Sequence, residues 1–304
     1  KTEGPQVAAC ARFLKIPIHY VWPKTAELIA GIDETLAVQD APFSSLSIVA
    51  QYLLYKQVRA RGIKVLLGGQ GGDEALMGYR KFFLFWFRQL VAEKRYAATA
   101  KYLLQLLPAM GAELRSLPSY WKHRHRFMQG KGLQHILHLP EVALSQTVFC
   151  RDKMSSRQIQ DVTQTSLPTL LRYEDRNAMG NSVESRLPFL DHQLLELGIA
   201  LPAVFKLRRG YGKWPLREIM NNKLPSEIRL ARYKRGFDLP LGSLLKAGLG
   251  ESLRQELQEG YSRIREFLTS AEPISELFSD QHLLKRQSAI AEALSLLWLK
   301  KVVA

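Results

Sequence analysis

Apolar positions in the first sixty residues alternate between helical and strand-like spacing. One face of residues 6–14 carries an apolar residue every three to four positions, which predicts a helix. The apolar run at 16–22 ends at Pro23 and predicts a short strand. Residues 47–61 return to helical spacing, and Gly62 lies where a helix C-cap is expected. The chain is therefore expected to begin with a helix, a strand and a second helix.

A glycine-rich loop follows the next apolar run. Ile63–Leu67 is a short run of the kind found in buried parallel strands, and we expect it to form an interior strand. The loop Gly68–Gly72 comes next, and Asp73 and Glu74 open a further helical pattern. Strand, helix, strand, glycine loop and helix in this order are typical of an α/β fold.

Strand signals fade in the rest of the chain. From Lys81 onward the apolar residues recur mostly at helical spacing, interrupted by prolines and by one irregular basic stretch. We therefore predict an α/β fold in two parts. Residues 1–80 form an α/β nucleotide-binding lobe with a parallel sheet, and residues 81–304 form a mainly helical region.

The net charge is the unusual feature of the composition. Lys and Arg number 43 against 28 Asp and Glu, a formal charge of +15. Such an excess suits nucleic acid, an anionic membrane surface or a polyphosphate substrate. The basic residues are scattered, however, and the densest stretch, Trp121–Phe127, is not part of any zinc-finger or ribonucleoprotein motif. A dispersed solvated surface is favoured, and we expect neither a nucleic-acid nor a membrane partner.

Cellular location is indicated only by weak features. No run approaches the roughly 20 apolar residues of a membrane-spanning helix. The first residues lack the apolar core of a signal peptide. The two cysteines, Cys10 and Cys150, form neither a metal-ligand spacing nor a disulfide framework. These features favour the reducing cytoplasm as the location of the protein.

The glycine loop is the first candidate for chemistry, because ligands of open α/β sheets bind beyond the carboxyl ends of the strands. Asp73 and Glu74 offer hard oxygen ligands of the kind Mg²⁺ accepts beside a phosphate. The alternative is a plain turn whose acidic residues complement a helix dipole. Four glycines allow close approach of a nucleotide and offer bare amides to phosphate oxygens: Gly68, Gly69, Gly71 and Gly72.

Two lysines form a second candidate. Lys213 precedes a short helix, and Lys234 lies in the basic loop Arg232–Phe237. Lysine presents a compact charge to phosphate oxygens, so the two side chains are expected to face one cleft together with Asp73. The alternative for each is an ordinary surface lysine.

Charged residues also surround a short apolar strip further along the chain. Glu184 and Arg186 are expected to be held in an ion-pair network, because unpaired charges are costly to bury. Asp191 is placed to N-cap the helix that carries Leu194. A structural role is a serious alternative for all three.

Four motifs together resemble the synthetase domain of the asparagine synthetase family. The motifs follow one another in the same order as in that family, and they lie within roughly residues 40–240. The motifs are G-x-G-x-D-E at 69–74 with Gly78-Tyr79, E-x-R-x-P-F-L-D at 184–191, G-K-x-x-L-R at 212–217 and R-x-K-x-G-F at 232–237.

This resemblance implies a PP-ATPase-like nucleotide-binding lobe and ATP-dependent amide formation. A carboxylate, aspartate in the first place, would attack the α-phosphate of ATP to give an acyl-adenylate. Ammonia from a glutaminase domain would then displace AMP. The four glycines would line the nucleotide, Asp73 would help hold Mg²⁺, and Lys213 and Lys234 would clamp the pyrophosphate.

Two departures from the family limit the inference. The pyrophosphate loop S-G-G-x-D-S and the glutaminase domain are not among these 304 residues, so we expect the lobe to be incomplete and this chain to be inactive alone. Gln70 stands where relatives carry glutamate, aspartate or tyrosine beside the reacting carbonyl, and glutamine cannot accept a proton.

Several alternatives therefore stay open. The acceptor is aspartate or another carboxylate, such as a saccharide acid or a peptide. An inactive scaffold and a nucleic-acid binder are further hypotheses. The sequence does not reveal the oligomeric state, and a homo-oligomer stays open.

Overall fold

The computed structural model describes residues 3–114, 153–232, 239–269, 272–286 and 288–303, with side chains through residue 106 in the first range. One β-strand and several helices make up the first of these ranges. They are α1 (Gly4–Leu14), α2 (Thr25–Gln39), α3 (Ser47–Ala60), β1 (Val65–Leu67), α4 (Gly72–Ala75), α5 (Lys81–Ala92) and α6 (Tyr96–Leu114). The helices predicted at 6–14 and 47–61 are confirmed, and Gly62 has the positive φ of a residue that follows a helix.

The remaining ranges contain the second strand and the rest of the helices. The next elements are α7 (Met154–Gln160), a π-helix (Asp161–Thr165), α8 (Leu167–Met179), β2 (Glu184–Arg186), a 3-10 helix (Pro188–Leu190), α9 (His192–Ala200) and α10 (Ala203–Lys206). The last are α11 (Trp214–Ile219), α12 (Ser226–Arg229), α13 (Leu241–Lys246), α14 (Leu249–Glu259), α15 (Tyr261–Ile264), a 3-10 helix (Arg265–Phe267), α16 (Ile274–Leu277), α17 (Asp280–Lys285) and α18 (Ala289–Val302). The predicted α/β class is confirmed as a mostly helical fold with a small parallel sheet. No helix in the described ranges has both the length and the apolar character that a membrane span requires.

The sheet of the described residues consists of β1 and β2 in parallel, with Leu66 opposite Ser185. Leu66 packs on a small apolar cluster between α3 and α8, whereas Leu67 is 70% exposed. The prediction of a parallel strand is confirmed. The prediction of an interior strand is wrong for the described residues, because among them β1 pairs with β2 alone and Val65 and Leu67 on its other face are exposed.

The strand predicted at 16–22 is also wrong. The backbone from Ile16 to Lys24 belongs to no helix or strand, and Trp22 is 73% exposed. A strand exists through ladder hydrogen bonds to a neighbour, and no described strand lies beside this segment. His19 instead contacts Arg61 at the end of α3, with 2.9 Å between the ring and guanidinium nitrogens.

The largest apolar cluster of the described residues joins opposite ends of the chain. Leu36 of α2 and Val49 of α3 are packed in it with Leu257 of α14 and Leu294 of α18, all at most 1% exposed. Each buried aliphatic side chain stabilises the fold by about 1.5–3 kcal/mol. This cluster therefore holds α3, and with it the start of β1, against the C-terminal helices.

Lys206 at the end of α10 is a buried cation whose partners are neutral. Its ammonium donates to Gln158 Oε1 at 2.7 Å and to the Gly198 carbonyl at 2.8 Å, with the Ile199 carbonyl at 3.3 Å. The residue is 1% exposed. Burial without a nearby carboxylate lowers the pKa of Lys206 from 10.5 to about 8.

The buried state of Lys206 predicts a rise in stability with pH. Between about pH 8 and the ordinary lysine pKa, the unfolded chain holds a proton that the folded chain has released, so the folded state gains as pH rises. We expect the free energy of unfolding to increase by about 2 kcal/mol between about pH 7 and about pH 9.5. The change in the free energy of unfolding is measured by urea unfolding at both pH values, for the unchanged protein and for Lys206→Met.

The control for this prediction is Lys56→Met, which removes an exposed lysine of α3 paired with Glu34. Lys56→Met should keep the pH-dependent rise, whereas Lys206→Met should lose it. An identical rise in the protein without Lys206 would contradict the assignment.

Candidate active site

The glycine loop lies at the carboxyl end of β1. The Gly68 amide donates to the Arg186 carbonyl at 2.8 Å and so continues the ladder to β2. Gly71 has φ of 88°, and side chains on Gly68, Gly71 or Gly72 would collide with or press on the 187–190 segment. A side chain on Gly69 would meet nothing within 4 Å. Three of the four predicted glycines thus allow close packing inside the protein, and Gly69 faces open space.

Asp73 and Lys213 meet in front of this loop. Lys213 Nζ lies 3.0 Å from Asp73 Oδ1, and each side chain is about one-quarter exposed, at 27% and 26%. The Lys213 backbone has φ of 55°, and its amide donates to the Leu76 carbonyl at 3.1 Å. Gly78 and Gly212 pack against each other, which lets the two loops approach closely. The structure therefore brings together two of the three residues expected to share a cleft.

A group of cations surrounds the Lys213 loop. Arg217 donates from Nε to the Gly212 carbonyl at 2.9 Å, and burial lowers the pKa of its guanidinium. The guanidinium groups of Arg217 and Arg232 lie 5.0 and 4.8 Å from the Tyr211 ring centre. Arg208 and Arg209 lie likewise over Trp214, at 5.8 and 5.5 Å. At least four arginines therefore lie close to the loop that carries Lys213.

Glu74 is buried inside the fold. It is 1% exposed and accepts hydrogen bonds from the Tyr79 hydroxyl and, at 3.0 Å, from Ser166 Oγ. Burial, followed by the bond to Glu74, raises the pKa of Tyr79. The expectation that Glu74 supplies a ligand beside Asp73 is wrong, because its carboxylate is used inside the fold.

Asp73 is the partly exposed carboxylate of the described glycine loop, and it is paired with Lys213. Within the described ranges no group of three or more His, Cys, Asp or Glu side chains is placed to hold a metal ion. Mg²⁺ in phosphate-transfer sites is commonly bound through one or two carboxylates together with substrate phosphates and water. A single carboxylate beside a positive loop fits an ion that arrives with a polyphosphate.

The other predicted residues take different positions. Lys234 lies outside the described residues. Arg186 Nε is 2.8 Å from Glu184 Oε1, so the predicted ion pair is confirmed, but both side chains are more than half exposed. Asp191 Oδ1 accepts from the Leu194 amide at 3.1 Å, which confirms the predicted N-cap. Gln70 is half-buried, and its amide nitrogen lies 3.4 Å from Glu174 Oε2.

Two buried carboxylates near the loop were not predicted from the sequence. Glu174 of α8 is 5% exposed and lies directly below Gly68. Asp161 of the π-helix is fully buried, with Lys81 at 2.5 Å and Arg157 at 3.0 Å. Burial lowers the pKa of Lys81, and the bond to Asp161 opposes that shift. The only sequence signal for Glu174 was its place inside a charged run of an otherwise amphipathic helix.

Comparison with known proteins gives matches over most of the chain. The model of the asparagine synthase family matches residues 1–301. A protein of Mycobacterium bovis named putative asparagine synthetase (glutamine-hydrolyzing) is 26% identical over 73% of this chain and 36% of its own length. Asparagine synthetase (glutamine-hydrolyzing) 1 of Bacillus subtilis is 24% identical over 72% of this chain and 37% of its own length. Amidase chyE of Penicillium rubens is 27% identical over 65% of this chain and 34% of its own length.

The chain therefore belongs to the asparagine synthase family, as the four motifs indicated. It spans little more than a third of the length of the curated relatives that it matches.

Proposed function

We propose that this chain is the synthetase part of an enzyme that uses ATP to join a carboxylate to ammonia. The carboxylate first attacks the α-phosphate, which gives an acyl-adenylate and releases pyrophosphate. Ammonia then displaces AMP, and glutamine is the source of this ammonia in the complete protein. Aspartate is the first candidate substrate, because the bacterial relatives carry the name asparagine synthetase.

The observation that carries this proposal is the Asp73–Lys213 pair at the carboxyl end of β1. Pyrophosphate carries heavy negative charge, and its departure is favoured by fixed cations and a metal ion. Lys213 and the surrounding arginines supply the fixed cations. Asp73 would hold Mg²⁺ together with phosphate oxygens, and the ion would neutralise part of the phosphate charge.

The remaining predicted residues complete this assignment. Gly69, with its open side, and the neighbouring amides of the glycine loop would line the nucleotide. Lys234 would reach the same phosphates from the basic loop, which is a proposal from the R-x-K-x-G-F motif alone. The S-G-G-x-D-S motif of the family does not occur among these 304 residues, so the assignment is to be tested in the complete protein.

A second candidate is the same chemistry on another carboxylate. Gln70 favours it, because glutamine replaces the acidic or tyrosine residue expected beside the reacting carbonyl. The similarity to amidase chyE, which is not named an asparagine synthetase, also favours a carboxylate other than aspartate.

ATP–pyrophosphate exchange in the complete protein tests the proposal. We expect Mg²⁺-dependent exchange with aspartate that is clearly faster than without a carboxylate. Exchange with a saccharide acid or a peptide carboxylate, and none with aspartate, would support the second candidate. No exchange with any carboxylate would contradict the proposed function.

A further inference from the structure

The short helix that carries Asp73 is held at its carbonyl end by a side chain from another helix. Gln158 of α7 is fully buried, and its Nε2 donates to the Glu74 carbonyl at 2.8 Å and to the Ala75 carbonyl at 2.6 Å. These carbonyls belong to the last two residues of α4, and the last carbonyls of a helix have no partner within that helix. Gln158 therefore caps the C-terminal end of α4.

The other end of the Gln158 amide is fixed by Lys206 of α10. Lys206 Nζ donates to Gln158 Oε1 at 2.7 Å, and it also donates to the carbonyls of Gly198 and Ile199 near the end of α9. An ammonium group donates hydrogen bonds and accepts none, so it faces the carbonyl end of the amide. The NH₂ group of Gln158 is thereby directed at α4.

Helix α9 also touches α4 directly. A Cβ at Gly198 would lie 3.0 Å from the Ala75 carbonyl oxygen and 3.3 Å from Ala75 Cβ, so the glycine lets the two helices approach closely. The backbone of residues 74–75 is thus in contact with α7 through Gln158 and with α9 through Gly198. Lys206 joins both of these helices to α10. The position of α4 is therefore set by three neighbouring helices together.

The segment held in this way contacts both partners of the Asp73–Lys213 pair. Asp73 belongs to α4, and its Oδ1 lies 3.0 Å from Lys213 Nζ. Leu76 directly follows α4, and its carbonyl accepts from the Lys213 amide at 3.1 Å. The two carbonyls bound by Gln158 lie between these contacts, at residues 74 and 75. A displacement of α4 would therefore disturb the Asp73 carboxylate and the Lys213 backbone at the same time.

We propose that Gln158 and Lys206 are positioning residues for the phosphate end of the site. Gln158 holds α4 where Asp73 and Lys213 can bind magnesium pyrophosphate together, and Lys206 fixes the orientation of the Gln158 amide. The inference rests on the proposed function. Both side chains are buried, and both act through the backbone of α4. A displacement of about 1 Å in a positioning group can cost on the order of 10²-fold in rate.

Gln158→Glu in the complete protein tests this positioning. Glutamate has the same length and can pair with Lys206, but its carboxylate has no N–H to donate, so the two carbonyls of α4 would face an acceptor. We expect the dissociation constant for magnesium pyrophosphate, measured by isothermal titration calorimetry, to rise about tenfold. The KM for pyrophosphate in ATP–pyrophosphate exchange should rise by a similar factor.

Gln39→Glu is the matched control. Gln39 at the end of α2 is also fully buried, and its Nε2 donates to the Tyr173 carbonyl at 3.1 Å and to Asn177 Oδ1 at 2.9 Å, both on α8. We expect it to lower the melting temperature about as much as Gln158→Glu, yet to leave the dissociation constant within about twofold. An equal rise of the dissociation constant in both variants, or no rise in Gln158→Glu, would overturn the inference.

The exchanged pair Gln158→Lys with Lys206→Gln provides a second test. The ammonium at position 158 can donate to the two carbonyls of α4 and to the amide oxygen at position 206, whose NH₂ group can donate to the two carbonyls of α9. Because all five hydrogen bonds are kept, we expect a dissociation constant within about threefold of the unchanged protein. A folded double variant that binds magnesium pyrophosphate as weakly as Gln158→Glu would contradict the inference. Absence of both binding and exchange in the unchanged protein would instead overturn the proposed function.

Discussion

Replacing Lys213 by alanine is expected to lower ATP–pyrophosphate exchange of the complete protein by about 10²–10³-fold. Lys213 Nζ lies 3.0 Å from Asp73 Oδ1, and Gly212 beside it packs on Gly78, which follows the glycine loop. Without Lys213, the charge of the departing pyrophosphate loses a pre-oriented partner in a partly buried site. The measurement is the exchange rate at saturating ATP and carboxylate. Lys234→Ala should have an effect of similar size, because the R-x-K-x-G-F motif implies the same role.

Arginine at either position should restore exchange only in part, since a planar guanidinium does not replace the compact charge of lysine. The matched control is Lys223→Ala, which removes an exposed lysine ten positions further along the chain. It should leave exchange within about twofold. An equal loss in the control would show that net charge matters rather than the cleft. Unchanged exchange in Lys213→Ala would remove Lys213 from the proposed site.

Gly78→Ala is expected to lower exchange by about 10²-fold while the protein still folds. A Cβ at this position would overlap Asp73 Oδ1 and Lys213 Cε, which are outer atoms of side chains rather than backbone. Both side chains can swing aside, so the fold tolerates the methyl group. The ion pair cannot keep its geometry, and small displacements of positioning groups are costly for catalysis. Exchange rate and melting temperature, measured together, check this prediction.

Gly242→Ala provides the control for Gly78→Ala. Its Cβ would meet only Leu284 Cδ2, at the ordinary contact distance of 3.8 Å, on a helix distant in sequence from the glycine loop. It should fold and exchange normally. A strong fall in melting temperature for Gly78→Ala, in proportion to its loss of exchange, would show that the glycine serves the fold and not the site.

Features that depend on neighbouring residues were the ones the sequence analysis predicted well. The helices at 6–14 and 47–61 follow from apolar spacing, and the Asp191 cap follows from a short polar side chain before an apolar helix. The apolar spacing at 16–22 was equally clear, yet the segment is not a strand. The spacing of apolar residues indicates which face of a segment can be buried. A strand also needs a neighbouring strand for its backbone hydrogen bonds.

The candidate site could be predicted only in part for the same reason. Motifs in the sequence identified the four glycines, Asp73 and Lys213 as candidates. The distance between positions 73 and 213 along the chain does not show that their side chains are in contact, as they are in the structure. Glu74 looks as suitable as Asp73 in the sequence, and only the packing of Tyr79 and Ser166 turns it inward. Glu174 carries no motif, and its importance arises from the loop that lies above it.

The sequence by itself determined the family, the helices at 6–14 and 47–61, the glycine loop after a β-strand and the excess of positive charge, but it did not reveal α2. The tertiary structure decided that Glu74 is buried whereas Asp73 meets Lys213, that β1 pairs with β2 alone among the described residues, and that Gln70 meets Glu174 across 104 positions of the chain. Backbone preferences and apolar spacing are set by residues close in sequence. Contacts between distant residues depend on how whole helices pack, which in this protein includes a core that joins α2 and α3 to the last helices of the chain.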